Sequence, residues 1–197
     1  MNIHPEIAKR KSLRAFSQQT VEDHIFYSLF EAARWAPSAF NEQPWRFIAV
    51  RKSEGSFKKM ADCLANSNRL WAQHAAFLIL VVAKKDITRS GAPNRHAAHD
   101  TGLAVGNLTV QATVNGIALH QMGGFDMSKA SAEFAVPDDF EPITIIAGGY
   151  PGNPQMLDDD LRARELAPRV RKPLDELVFA DNFGQSHPLF IPSTSSS

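Results

Sequence analysis

Ala75-Ala76-Phe77-Leu78-Ile79-Leu80-Val81-Val82-Ala83, nine apolar residues between His74 and Lys84, is the longest such run in the chain. A membrane span needs roughly 18 apolar residues or more, so the stretch reads as a core strand over residues 77–83. Apolar residues at every position, rather than every second one, mark a strand covered on both faces by helices. That single reading sets the fold class.

Toward the N-terminus, Phe47-Ile48-Ala49-Val50 between Arg46 and Arg51 reads as a second short strand. Before it, Thr20 and Asp23 resemble a capping box with Asp in place of Glu, and Ile25, Leu29, Ala32, Ala33 and Ala36 give a helical stripe that Pro37 ends. A polar helix is expected over about residues 56–65, and Ile3 and Ile7 suit a small N-terminal helix. Toward the C-terminus, residues 84–95 read as a loop and residues 96–115 as a helix with Gly102 and Gly106 four apart and Gly116 as its cap. Ile117–Leu119 begins a third strand, Asp126 caps a helix ending near Pro137, and Ile143, Ile145, Ile146 and Ala147 form the last strand. The order α, α, β, α, β, α, β, α, β implies a helix-covered sheet and leaves strand order and direction open.

With 197 residues, 44% hydrophobic and 21% charged, the chain is expected to fold as one domain with a sizeable core. Residues 151–182 read as an arm too short to build its own core. Its apolar island Leu177-Val178-Phe179 is therefore expected to lie on the body of this chain or of a partner. Residues 183–197 read as a tail with a disordered Ser-rich end. Equal numbers of basic and acidic residues, 21 each, supply no global field for nucleic acid or an anionic membrane, so any anion site is local. Cys63, the only cysteine, reads as a small apolar helix residue. A lone thiol and an N-terminus without an apolar block behind its charges point to the cytoplasm.

Three constellations can carry chemistry. Lys9-Arg10-Lys11-Ser12-Leu13-Arg14 places four basic residues in six around a hydroxyl. Guanidinium forks and a serine can hold a phosphate, although on composition alone a solvated basic turn is the simpler reading. Ala36-Pro37-Ser38-Ala39-Phe40-Asn41-Glu42-Gln43-Pro44-Trp45 is a proline-bounded loop dense in hydrogen-bonding and small side chains, suited to a flat polar ligand. Gln121-Met122-Gly123-Gly124-Phe125-Asp126 can expose backbone N–H groups at a strand-to-helix junction, and equally well makes a tight turn. It is not a dinucleotide fingerprint, since no G-x-G-x-x-G follows a strand. His96 and His99 lack the second cluster a metal site needs, so no metal is expected. Ser38 has no evident His and Asp partners for nucleophilic hydrolysis.

The block Arg10-Lys11-Ser12-Leu13-Arg14-Ala15-Phe16, the helix with Ala32-Ala33, and Ala36-Pro37-Ser38-Ala39 with Asn41, Gln43-Pro44-Trp45 and Phe47 strongly resemble the N-terminal signature of the FMN-dependent nitroreductase family. Asn68, Trp71, Asp100, Gly102, Gly123-Gly124, Gly148-Gly149, Arg169, Arg171 and Pro173-Leu174 look like further family landmarks, and the likeness covers about residues 5–182. The resemblance implies an α+β fold with a helix-covered central mixed sheet, one FMN-binding domain over residues 1–182 including the arm, and an obligate homodimer with FMN at its interface.

By the same likeness Arg10, Lys11, Ser12 and Arg14 would hold the ribityl and phosphate groups. Pro37, Ser38, Ala39 and Asn41 would approach the isoalloxazine from the other subunit, and Asn68 would address its pyrimidine edge. A backbone N–H of Gly123 or Gly124 would face flavin N5, and Arg169 or Arg171 would complete the phosphate site. The implied activity is ping-pong hydride transfer from NADH or NADPH, through the flavin, to nitroaromatic, quinone or related small-molecule acceptors. A flavin carrier, a redox sensor or a flavin-consuming relative is the alternative. The 84–95 loop is short for the family, which leaves open what covers the active site.

Overall fold

The computed structural model describes residues 3–191. The chain divides after Glu165 into two compact units. The elements are α1 (Pro5–Lys9), α2 (Asp23–Arg34), β1 (Trp45–Arg51), α3 (Gly55–Ala61), α4 (Asn66–Ala72), β2 (Phe77–Lys84), α5 (Ala97–Val114), β3 (Ala118–Met122), α6 (Met127–Glu133), β4 (Phe140–Gly149) and α7 (Asp159–Leu166). No helix among the described residues is long and apolar enough to cross a membrane.

The four strands form one sheet in the order β1-β2-β4-β3. Because side chains alternate across a strand, β2 feeds two cores. Leu78, Leu80 and Val82 join Phe57, Met60 and Trp71 on the side of α3 and α4. Phe77, Ile79 and Val81 join Leu29, Ala33, Ala104 and Leu108 on the side of α2 and α5. Every residue from Phe77 to Ala83 is at most 3% exposed. The helix-covered sheet expected from the apolar run is present.

The sheet is not mixed. All three pairings, β1 with β2, β2 with β4 and β3 with β4, are antiparallel. The mixed sheet implied by the family resemblance is therefore not what these four strands form, and the apolar run, which reports burial on two faces, carries no record of direction.

Four local expectations also change. Thr20 does not cap α2: Val21 is buried first, so Asp23 opens the helix and pairs with Arg51 at 2.7 Å. The helix expected over residues 56–65 is shorter and is followed by α4. The chain turns between them because Cys63 and Leu64 are buried and Leu64 bridges to Phe125. Cys63 therefore lies in a turn, with its Sγ 3.3 Å from the Lys59 carbonyl. The helix capped by Asp126 stops at Glu133, and Ala135 turns left-handed with φ 49°. The acidic run Asp158-Asp159-Asp160 leads into α7, where an extended arm was expected.

The second unit is small and carries its own turn. Ala180 N–H donates to the Gln185 carbonyl at 2.9 Å and His187 N–H to that of Val178 at 2.9 Å. The Phe179 and Phe183 rings meet at 4.8 Å, while Leu177 stays exposed. The Ser-rich stretch 193–197 lies outside the described residues.

Gly148 in β4 sits directly opposite Phe77. A methyl there would lie 2.2 Å from Cζ of Phe77 and 2.7 Å from Cδ2 of Leu119, and both side chains are buried. Gly148→Ala is expected to cost about 1–3 kcal/mol of stability by overpacking. Urea unfolding checks this, and an unchanged midpoint would mean that the Phe77 ring can move aside.

Candidate functional site

The basic cluster forms an extended strap after α1. Arg10 Nη1 donates to Ser12 Oγ at 3.2 Å, and Lys11 and Ser12 are exposed. The strap is pinned from beneath by its own buried end. Phe16 stacks on Trp71 at 6.4 Å, Ser17 N–H donates to the Tyr150 carbonyl at 2.9 Å, and Gly152 N–H donates to the Ala15 carbonyl at 2.8 Å. His120 of β3 bonds the Leu13 carbonyl through Nδ1 at 3.1 Å. A carbonyl only accepts, so that nitrogen carries the proton. Arg14 lies over Trp71, 6.0 Å from the ring centre. A cavity of about 160 Å³ opens among Lys9, Arg10, Lys11, Thr113 and Gly116.

The turn after β3 lies in the same neighbourhood. Asn68, three residues before Trp71 on α4, donates through Nδ2 to the Gly124 carbonyl at 3.0 Å, and Ala65 N–H donates to the same oxygen at 2.9 Å. Gly123 and Gly124 are both exposed. Among the described residues neither glycine N–H has a backbone carbonyl partner.

The proline-bounded loop is strained. Phe40, Asn41 and Gln43 have φ of 54°, 57° and 47°, a region that non-glycine residues occupy at about 1–3 kcal/mol each. Several bonds hold it there. Ala39 N–H donates to Oδ2 of the buried Asp100 at 2.8 Å, and Gln43 N–H to Ser38 Oγ at 3.0 Å. The 84–95 loop docks on it: Thr88 N–H donates to Glu42 Oε2 at 2.9 Å, and Arg89 sits 5.5 Å over the Phe40 ring. The Thr88 bonds, and then the charges of Lys84 and Arg89, hold the Glu42 carboxyl below its usual range. Pro37, Phe40 and Asn41 remain exposed.

The strap and the loop are not brought together within one chain. Asp100, which holds the loop, is in the first turn of α5, and Gly116, which borders the strap cavity, follows its last. At 1.5 Å per residue the two points are about 24 Å apart. The strap, Asn68, Gly123 and Gly124 form one half-site, and residues 37–43 form another at the opposite end of the helix. Arg169 and Arg171 belong to the second unit and are exposed there. Among the described residues no group of three or more His, Cys, Asp or Glu could hold a metal.

The profile of the Nitroreductase family matches residues 7–73. A protein of Archaeoglobus fulgidus named "Putative NADH dehydrogenase/NAD(P)H nitroreductase" is 30% identical over 149 residues, 74% of this chain and 83% of its own length. The chain belongs to the nitroreductase family. A 15.4 kDa protein of Mycolicibacterium smegmatis is 33% identical over 147 residues, 71% of this chain and 97% of its own. A solved oxidoreductase containing FMN superposes with a TM-score of 0.90 at 31% identity, covering 94% of this chain and 95% of that one. The nitroreductase-like α+β fold is the fold observed.

Three residues that hold the strap and the loop, Glu165, His120 and Asp100, do so by bonding backbone groups far away in sequence: Arg14 and Ala15 N–H, the Leu13 carbonyl and Ala39 N–H in turn. Only Asp100 carried a sequence signal, as a family landmark. His120 also carries a pH signature. Burial first, and then the Arg14 cation, lower its pKa. As pH falls below about 6.5, the ordinary value for histidine, the unfolded chain takes up a proton that the folded chain does not. Stability is lost from there down to the lowered folded-state value and then levels off. His120→Gln should flatten this slope: between pH 7.5 and 5.5 its urea midpoint should fall less than that of the wild type. Equal falls would remove His120 as the source.

Proposed function

We propose that this nitroreductase is an FMN-dependent oxidoreductase that takes hydride from NADH or NADPH and passes it to nitroaromatic, quinone or related electron-poor small molecules. It works as a homodimer in the cytoplasm. The observation that carries this reading is the separation of the two half-sites by the length of α5. Two antiparallel copies of that helix, related by a two-fold axis, would put each strap beside the loop of the partner and so make two equivalent sites.

The outward face of α5 supports such a pairing. Leu103, Val110 and Val114 are 38%, 39% and 55% exposed, and the exposed Gly102 and Gly106 beside them leave room for close approach. An apolar stripe on a helix calls for cover, and the exposed His99 and Asn107 flank this one with polar groups. Tyr27 and Trp35 of the adjoining α2 segment are likewise exposed.

The residues present suit FMN. A phosphate of charge near −2 matches Arg10, Lys11, Ser12 and Arg14. The N–H groups of the exposed Gly123 and Gly124, which no backbone carbonyl takes up among the described residues, suit a ring edge with acceptor atoms, and Asn68 suits the pyrimidine edge. Pro37, Ser38, Ala39 and Asn41 of the partner subunit would close the other side. The hydride chemistry itself is supplied by FMN when bound. The chain's part is to orient the ring, neutralise the phosphate and leave one face open, with Phe40 and Arg89 at the rim. The exposed strained loop, rather than an inserted helix between residues 84 and 95, then shapes access.

An absorbance spectrum of the purified protein followed by anaerobic NADH and then NADPH tests the reading. Flavin bands that bleach with either donor, and turnover that depends on an added quinone or nitroaromatic, are expected. Bands that persist with both donors would instead favour a carrier or sensor. Val110→Glu, which places a charge in the proposed α5 pairing at a position 39% exposed in the single chain, should lower the mass seen by light scattering toward the monomer. Retention of the dimer would place the interface elsewhere.

A further inference from the structure

We infer that Glu165 is a positioning residue for cofactor phosphate: by clamping the backbone of Arg14 and Ala15 it aims the Arg14 guanidinium at the anion while leaving the guanidinium's own donors open. The inference rests on the FMN reading and concerns a residue that no motif in the strap contains.

The Glu165 side chain is 3% exposed. A carboxylate so buried is costly unless its oxygens are bonded, and here backbone groups bond them. Arg14 N–H lies 2.9 and 3.0 Å from the two oxygens, and Ala15 N–H lies 3.1 Å from Oε1. The Arg14 guanidinium stands off at 3.8 Å and, among the described residues, forms no hydrogen bond. A carboxylate recruited as the ion-pair partner of an arginine normally sits at about 2.7–2.9 Å, often with two parallel bonds. The geometry therefore separates two roles. Glu165 holds the main chain, and the side chain of Arg14 keeps its fork of N–H donors for something else. Trp71 gives that fork a flat backing, and His120 fixes the Leu13 carbonyl from the other side. Three consecutive strap residues are thus tied, while the Arg14 side chain remains 22% exposed.

The arrangement makes a prediction with a decisive sign. A buried carboxylate beside a phosphate site opposes the anion through its field. If field were its whole effect, Glu165→Gln would tighten FMN binding. If positioning dominates, the amide NH2 of Gln faces a backbone N–H, the clamp opens and FMN binding weakens.

The experiment is flavin titration of the full-length protein, dialysed free of flavin and checked for unchanged mass, with FMN and with riboflavin, which lacks the phosphate. Glu165→Gln should raise the Kd for FMN about tenfold, the scale of losing an outer residue that orients a direct ligand. The Kd for riboflavin should move by less than about twofold. Glu165→Asp, which keeps the charge on a shorter arm, should lie between Gln and wild type, and it serves as the measured variant if Gln abolishes binding of both flavins. In an Arg14→Gln background the Glu165→Gln effect on FMN should vanish, because it acts through Arg14. FMN binding that is unchanged or tighter in both Glu165 variants, or equal losses for the two flavins in both, would overturn the inference. A wild-type protein that binds riboflavin as tightly as FMN, or neither, would refute the cofactor reading itself.

Discussion

Burial of β2 on both faces is the constraint on which the rest of the first unit depends. Once Leu78, Leu80 and Val82 are committed to one core and Phe77, Ile79 and Val81 to the other, neither face of the sheet is free for a ligand. Polar chemistry is displaced to the two ends of the strands. One end, where Arg51 pairs with Phe77 and Phe77 with Gly148, leads into Tyr150, Pro151 and Gly152, which receive the strap. The other, where Trp45 pairs with Ala83, receives the strained loop. From Phe77 to Ala83 the strand rises six steps of about 3.4 Å, so its ends lie roughly 20 Å apart, close to the span that α5 covers alongside. The separation of the strap from the loop follows from the core, and it is this separation that the proposed second copy would bridge.

The same constraint accounts for where strain is stored. Left-handed φ at Phe40, Asn41 and Gln43 would be relieved by glycine, yet side chains occupy all three positions and Asp100, Ser38 and Glu42 hold the turn in place. Asp100 can do so because it is buried on the rigid helix that also fills the α2–α5 core. Local strain is thus offset by packing elsewhere, the usual arrangement where a backbone must present groups outward.

Legibility in the sequence follows the same lines. β2, α5, β4 and the Asp126 cap were readable because apolar period and capping residues are properties of side chains. The strap and the loop were readable because basic and amide side chains are concentrated there, and the nitroreductase likeness named the family. Strand direction was hidden, since Val and Ile in a two-faced strand look alike either way. α4 was hidden because Asn66, Ser67 and Asn68 are weak helix formers, and only the docking of Trp71 and Ala72 against the core makes the helix worth forming. Glu165 and His120, which hold the strap, were hidden most completely, and Asp100 showed only as a family landmark. Glu165, His120 and Asp100 bond backbone N–H and C=O groups, and a backbone donor leaves no letter in the sequence to pair with.

The acidic run Asp158-Asp159-Asp160, expected only as part of an arm, has a physical reason of the same kind. Asp158 accepts the Leu161 N–H through Oδ1 at 2.8 Å, which caps and starts α7. Leu161, packed against the core beside Leu157, then sets the helix's rotation, and Glu165 four residues later falls on the same face. A helix started one residue earlier or later would turn the carboxylate by about 100°, away from Arg14 and Ala15. The cap, the apolar contact and the buried acid form one device, in which an exposed aspartate fixes the register that lets a buried glutamate hold the strap.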